Sequence, residues 1–196
     1  MNATQERLYR ALADLTNERG YAAVTVRALL RRAGVRRLEF ARFYRGRDDL
    51  LERGTHALCD EIIEQFETWN WERASGAGGR LPSFTPSHIT MLFDIARDER
   101  PVFAAFLDPR SPSLFRRIIT RRFEDYIYRK RIGPALGPQS DDRVAGQLSK
   151  MMSVCFVAVV EESVFEESDR ERSASVRGNV DIYYRFISLG LAGFAR

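Results

Sequence analysis

The chain has 196 residues, 44% of them hydrophobic, enough to bury a core as one large domain or two small ones. Its two cysteines, Cys59 and Cys155, are too far apart in sequence to suggest a disulfide framework or a zinc spacing, and its longest apolar run, Val154 to Val160, is too short to cross a bilayer. The net charge of +4 is unevenly spread: residues 1–50 hold 11 Arg against 6 Asp or Glu, and the remainder holds 20 basic and 21 acidic residues, so a polyanion-binding face is expected at the N-terminal end. No apolar signal core opens the chain, and a soluble, cytoplasmic protein without a membrane partner or a cofactor is expected.

In chain order, Leu8, Leu12 and Leu15 recur at spacings of three and four and predict a helix from Thr4 to Arg19, stopped by Gly20. Tyr21 and Val24 close a small core, and Thr25 is a natural N-cap for a second helix that buries Val26, Leu29, Leu30 and Ala33. Gly34 permits a sharp turn into a third segment, in which Val35, Leu38 and Phe43 are expected inward and Arg36, Arg37, Glu39 and Arg42 outward. Helix, second helix, tight turn and Arg-loaded third helix spell a helix-turn-helix, which docks its last helix in the DNA major groove. After the connector 45–49, a long helix from Leu50 to Trp71 is expected to link two parts of the chain.

Residues 75–82 read as a Gly-rich loop with no strand before it and no Lys-Ser/Thr after it, so a linker and not a phosphate cradle. Helices are then expected from Pro86 to Ala96, from Pro101 to Leu107, from Ser113 to about Arg131, from about Asp141 to Glu167 and from about Ala174 to Ala195. No segment alternates as a strand, and there is no internal repeat. The fold class is therefore all-α, about nine helices, with a three-helix DNA-binding domain at 1–47 and a helical bundle at 48–196.

The segments Glu18-Arg-Gly-Tyr21, Thr25-Val-Arg27, Arg32-Ala-Gly-Val35 and Phe40 through Leu51 resemble the DNA-binding signature of the TetR (tetracycline-repressor-like) family of bacterial transcriptional regulators. The resemblance covers about the first fifty positions; beyond them only the helical layout is similar. It implies a homodimer that binds a palindromic double-stranded operator, usually as a repressor, and releases it when a small-molecule effector enters the C-terminal domain. Carried over by position, Thr25 and Arg27 lie near phosphates, Arg36, Arg37 and Glu39 face bases or backbone, and Tyr44 and Arg47 hold flanking phosphates; Arg42 joins them on the outer surface. Arg47 stands where the family usually has lysine. Leu38 replaces a usual glycine, Glu39 a small hydroxyl residue, Ala41 a phosphate-contacting tyrosine and Leu30 an alanine at the helix crossing. Glu39 could accept a hydrogen bond from cytosine N4 or pair with Arg36 or Arg42. These departures keep a second reading open, a helical ligand-binding or interaction module with a degenerate head.

The resemblance also turns an aromatic and methionine set that would otherwise be plain core into candidates for an effector pocket: Met91, Phe93, Phe103, Phe106, Phe123, Tyr126, Met152 and Phe156, with Arg97, His88 or Tyr126 as polar anchors for a hydrophobic effector. The apolar stripes of the last two helices, Val154, Val157, Val160 and Val164, then Ile182, Phe186, Leu189 and Phe194, are expected to pair with a second copy in a four-helix interface. The run Arg116 to Arg131 and the acidic cluster Glu161, Glu162, Glu166 and Glu167 read as solvated faces. With only His56 and His88, neither beside a nucleophile or a paired carboxylate, no enzyme and no metal site are expected.

Overall fold

A computed structural model describes residues 1–74, 86–132, 142–165, 178 and 181–185. All regular structure among these residues is helical, with no strand. The candidates His88, Phe93, Phe186, Leu189 and Phe194, together with the expected loop at 75–82, lie outside what is described of backbone or side chain.

Helix α1, Ala3–Arg19, opens on a reciprocal cap: the Asn2 side chain accepts from the Gln5 amide (2.9 Å) while Gln5 Oε1 accepts from the Asn2 amide (3.0 Å). It stops at Gly20, whose φ of 80° suits glycine, and a short 3-10 turn, Tyr21–Ala23, follows. Thr25 caps α2, Val26–Ala33, by accepting from the Ala28 amide at 3.2 Å. Gly34 then sits in the left-handed region at φ 64°, which lets the chain turn into α3, Arg37–Phe43. The remaining elements are α4, Arg47–Ala74; α5, Pro86–Asp98; α6, Arg100–Leu107; α7, Leu114–Ile127, continued by a π-helical turn, Tyr128–Ile132; and α8, Asp142–Phe165. Residues 181–185 are also helical.

The backbone divides into two compact units: 1–60 with 99–119, and 61–98 with 120–196. In the first unit α1 packs on α2 and α6. Its middle and last turn are tied to the start of α6 through the Arg10–Glu99 ion pair (2.8 Å) and the Asn17 side chain, which donates to the Pro101 carbonyl (2.8 Å). The centre of that unit is Tyr9. Its ring lies so close to α4 that a Cβ built on Gly54 would come within 2.2 Å of it. The Tyr9 hydroxyl shares a hydrogen bond with Thr55 (3.0 Å), and Phe106 of α6 covers the ring at 5.5 Å. Phe103 and Phe106, expected in an effector pocket, are thus core residues of this unit, both against Phe115 at the start of α7. Aromatic content alone could not tell these two neighbouring stretches of chain apart.

The second unit is built on aromatic contacts around α7 and α8. Phe66 meets Tyr126 edge-on at 5.7 Å, Phe123 lies 5.1 Å from Phe156, and Phe156 lies 6.4 Å from Tyr183. Of the two cysteines, Cys59 is buried and Cys155 half-buried. No helix among the described residues is long and apolar enough to cross a membrane.

Gly54→Ala should over-pack the Tyr9 contact and lower stability by about 1–3 kcal/mol net, opposing the gain of about 1 kcal/mol expected from helix propensity. Gly146→Ala in α8, where an added Cβ meets nothing within 4 Å, should raise stability by up to about 1 kcal/mol. Thermal melts of the two variants check the contrast in sign.

Candidate nucleic-acid interface and effector cavity

The α3 helix is held by its inner face. Phe40 and Tyr44, one turn apart, are buried with ring centroids 5.7 Å apart, and Val35 is buried just before the helix begins. Two residues from Phe40 is more than half a helical turn around the axis, so Leu38 points outward and is 82% exposed. The expectation that Leu38 faces the core is therefore corrected: the helix starts at Arg37, and that start sets which residues turn inward. Arg36, Arg37, Ala41 and Arg42 are exposed with it, as are Thr25 and Arg27 at the start of α2. Among the described residues the guanidinium groups of Arg27, Arg36, Arg37 and Arg42 take part in no ion pair or hydrogen bond. Four cations without a counter-charge on one helix-turn-helix can meet phosphates and base edges without first breaking a contact inside the fold.

Glu39 pairs with neither Arg36 nor Arg42. The Thr4 hydroxyl donates to its Oε1 at 3.0 Å, so the one carboxylate of α3 is turned toward the start of α1. Tyr44 is likewise mostly enclosed: its ring is buried, burial pushes its hydroxyl pKa up, and Arg53 stacks on it with the guanidinium carbon 5.5 Å from the ring centroid.

Arg47 is bound into the fold, at a position where a phosphate contact was expected. Its Nη1 donates to the carbonyls of Tyr21 (2.8 Å) and Val24 (2.9 Å), its Nε donates to Asp48 (3.2 Å), and its guanidinium lies 4.2 Å from the Tyr21 ring centroid. Asp48 completes the cluster by accepting from the Tyr21 hydroxyl at 2.6 Å. These groups join the start of α4 to the turn between α1 and α2. A lysine could not make this set of contacts, because it lacks the planar fork and the stacking face. The Tyr21 hydroxyl and the Arg47 guanidinium hold the Asp48 carboxyl below the usual carboxylate range. Its contribution is therefore complete above that range and fades as pH falls through the lowered value.

The second unit contains a cavity of about 20 Å³ lined by Ile63, Phe66, Phe123, Tyr126, Ile127, Phe156 and Tyr183. Three of the expected pocket residues, Phe123, Tyr126 and Phe156, meet there. Met152 is buried, with its carbonyl accepting from the Tyr183 hydroxyl (2.7 Å), and Met91 does not line the cavity. Ile63 and Phe66 were missed because α4 read as a connector, although Ile62, Ile63 and Phe66 carry the spacing of an inward stripe. No lining side chain is charged. The Tyr126 hydroxyl donates to Glu67 and the Tyr183 hydroxyl to Met152, so both polar tips already have partners. Arg97, a suggested anchor, is exposed and paired with Asp94 at 2.8 Å.

On α8 the expected interface residues Val157, Val160 and Val164 are buried within the single chain. The apolar side chains that α8 leaves outward are Met151, Val154 and Phe165, on one stripe with exposed Ala158, and Ile182 is 67% exposed. Among the described residues no group of His, Cys, Asp or Glu could hold a metal ion.

Arg47→Ala should lower stability by about 1–3 kcal/mol, the scale of losing hydrogen bonds to a charged group, with Arg47→Lys in between. Arg36→Ala, at an exposed position outside these contacts, should stay within about 0.5 kcal/mol. Chemical denaturation of the three variants tests the separation of holding from free arginines.

Residues 8–54 match the model of the bacterial regulatory proteins of the tetR family. No curated protein sequence matches the chain. Among solved structures, a protein of Syntrophomonas wolfei str. Goettingen assigned to the TetR family is similar over 94% of this chain and 95% of its own, with TM-score 0.66 and 9% identity. A transcriptional regulator of Aquifex aeolicus VF5 is similar over 92% and 99%, with TM-score 0.59 and 18% identity. A TetR-family transcriptional regulator of Streptomyces coelicolor is similar over 94% and 99%, with TM-score 0.52 and 20% identity. Residues 8–54 are thus similar to the N-terminal part of the bacterial regulatory proteins of the tetR family, and the all-helical fold is similar to that of these solved structures.

Proposed function

We propose that this chain is a transcriptional regulator that binds a palindromic double-stranded DNA operator as a homodimer and leaves it when a small apolar effector binds. The observation that carries the reading is the set of exposed arginines, Arg27, Arg36, Arg37 and Arg42, presented by a helix-turn-helix whose only α3 carboxylate is turned to Thr4. Residues 1–47 act as the reading head and 48–196 as the effector-binding and dimer-forming body. Repression is the expected sign, since a bound head occludes the DNA it covers.

The effector reading rests on the cavity between α4, α7 and α8. Its aromatic and aliphatic lining, free of charged side chains, suits a neutral apolar group such as an aromatic ring or alkyl chain. With about 20 Å³ free, the lining must part for anything larger than a few atoms. An effector that prefers the parted state shifts the protein toward it by its differential affinity for the two states. In the operator-bound state the two α3 helices of a dimer must stand about 34–36 Å apart, one turn of DNA.

Dimerisation is assigned to the outward stripe of α8, Met151, Val154, Ala158 and Phe165, together with Ile182, and it replaces the inward valines in that role. A second copy covering these side chains removes apolar surface from water at no cost to the chain's own core.

Selection from a random duplex pool near physiological salt should enrich a palindrome. Arg37→Ala should weaken binding to that sequence about 5- to 100-fold, the worth of one bidentate base contact, with unchanged far-UV circular dichroism. A folded protein that enriches no sequence would defeat the reading. Light scattering should give a dimer for the native chain and a monomer for Val154→Glu, whereas Val157→Ala should remain dimeric and melt at lower temperature; a dimeric Val154→Glu variant moves the interface off α8.

A further inference from the structure

The exposed face of α3 has an apolar centre that a purely phosphate-binding surface does not need. Leu38, the most exposed large hydrophobic side chain among the described residues, is 82% accessible. Ala41 stands one turn along the same face, and Arg37 and Arg42 flank the pair; the opposite face is taken by buried Phe40 and Tyr44. Glu39, which would oppose an anionic partner, is turned away by its hydrogen bond to Thr4. The result is a small apolar spot framed by uncompensated cations, on the helix that a helix-turn-helix inserts into the major groove.

Charge complementarity selects a polyanion as the occupant of this face, and the polyanion's own chemistry narrows the choice. At the base edges of the major groove, guanine, cytosine and adenine present ring nitrogens, carbonyls and amino groups; the C5-methyl of thymine is the apolar group there. An isobutyl side chain placed against a polar base edge would desolvate it without returning a hydrogen bond. Against a thymine methyl it removes apolar surface from water on both partners.

Resting on the DNA-binding reading above, we propose that Leu38 is a specificity-determining residue that reads thymine through its C5-methyl group, with Arg37 and Arg42 fixing the helix over that base pair. Leu38 sets which base pair is accepted at one position of each half-site, and the arginines supply most of the affinity. Because its side chain is 82% exposed, changing it alters recognition and leaves the core of the fold in place.

The test uses the full-length protein and the duplex it selects from the random pool. Each thymine is replaced, one at a time, by deoxyuridine, which differs only in lacking the methyl group, and affinities are measured for the native chain and for Leu38→Ala. At one symmetry-related thymine of each half-site, the native protein should bind the uracil duplex about fourfold more weakly per half-site, the worth of one buried methyl. Leu38→Ala should bind the thymine and uracil duplexes equally while keeping its circular dichroism spectrum. If uracil is tolerated at every position, or if Leu38→Ala still distinguishes thymine from uracil, the assignment is overturned while the DNA-binding reading stands. Such a result would leave the Leu38 face as a protein-docking spot. If neither the native chain nor Leu38→Ala binds any duplex in a salt-dependent way, both readings fall together.

Discussion

The N-terminal unit depends on one close approach, the Tyr9 ring laid on the α4 backbone at Gly54. A side chain at position 54 would sit where the ring is, with its Cβ only 2.2 Å from the nearest ring carbon. Around this contact three helices converge: α1 brings Tyr9, α4 brings Gly54 and Thr55, and α6 brings Phe106. Burial drives the phenol pKa far up, which keeps Tyr9 neutral and able to donate to Thr55, whose own hydroxyl donates to the Leu51 carbonyl at 2.6 Å. The position of α1 then carries forward to its first turn, where Thr4 reaches Glu39, so α3 is referenced to this contact.

Arginine serves two different purposes in this unit, and distance in sequence hides which is which. Arg10, Arg32, Arg47 and Arg53 bind the fold to itself: Arg10 to Glu99, Arg32 to Glu18, Arg47 to the carbonyls of the 3-10 turn, Arg53 to the Phe43 carbonyl and the Tyr44 face. Arg27, Arg36, Arg37 and Arg42 project without such partners among the described residues. The two classes differ in rigidity and desolvation, and only the second keeps its full donor set for an outside anion.

Helix order, the capping residue Thr25, and the two glycine stops at Gly20 and Gly34 were legible in the sequence, because each rests on local backbone chemistry. The side facing inward was less so. Leu38 looks like core in a seven-residue helix, where one shift of the start rotates every side chain by about 100°. The contacts of Arg47 inside the fold were hidden as well, because Tyr21 and its neighbouring carbonyls lie some 25 residues earlier in the chain. Phe103 and Phe106 share composition with Phe123 and Phe156, yet the former belong to the unit of Tyr9 and the latter line the cavity. Likewise Val157, Val160 and Val164 form a stronger apolar stripe than Met151, Val154 and Phe165, and for that reason the single chain claims them.

The separation between the parts of α3 bears on how this protein can evolve. Residues 37, 38, 41 and 42 contribute almost nothing to the stability of the fold, whereas Phe40 and Tyr44 hold the helix in place. On the DNA-binding reading proposed above, drift at the outer four positions is filtered only by the DNA sequence they meet, so a duplicated copy can acquire a new target by a few substitutions without compensating changes elsewhere. On that reading a lineage can diversify its targets rapidly while Tyr9 and Gly54 stay under selection for folding.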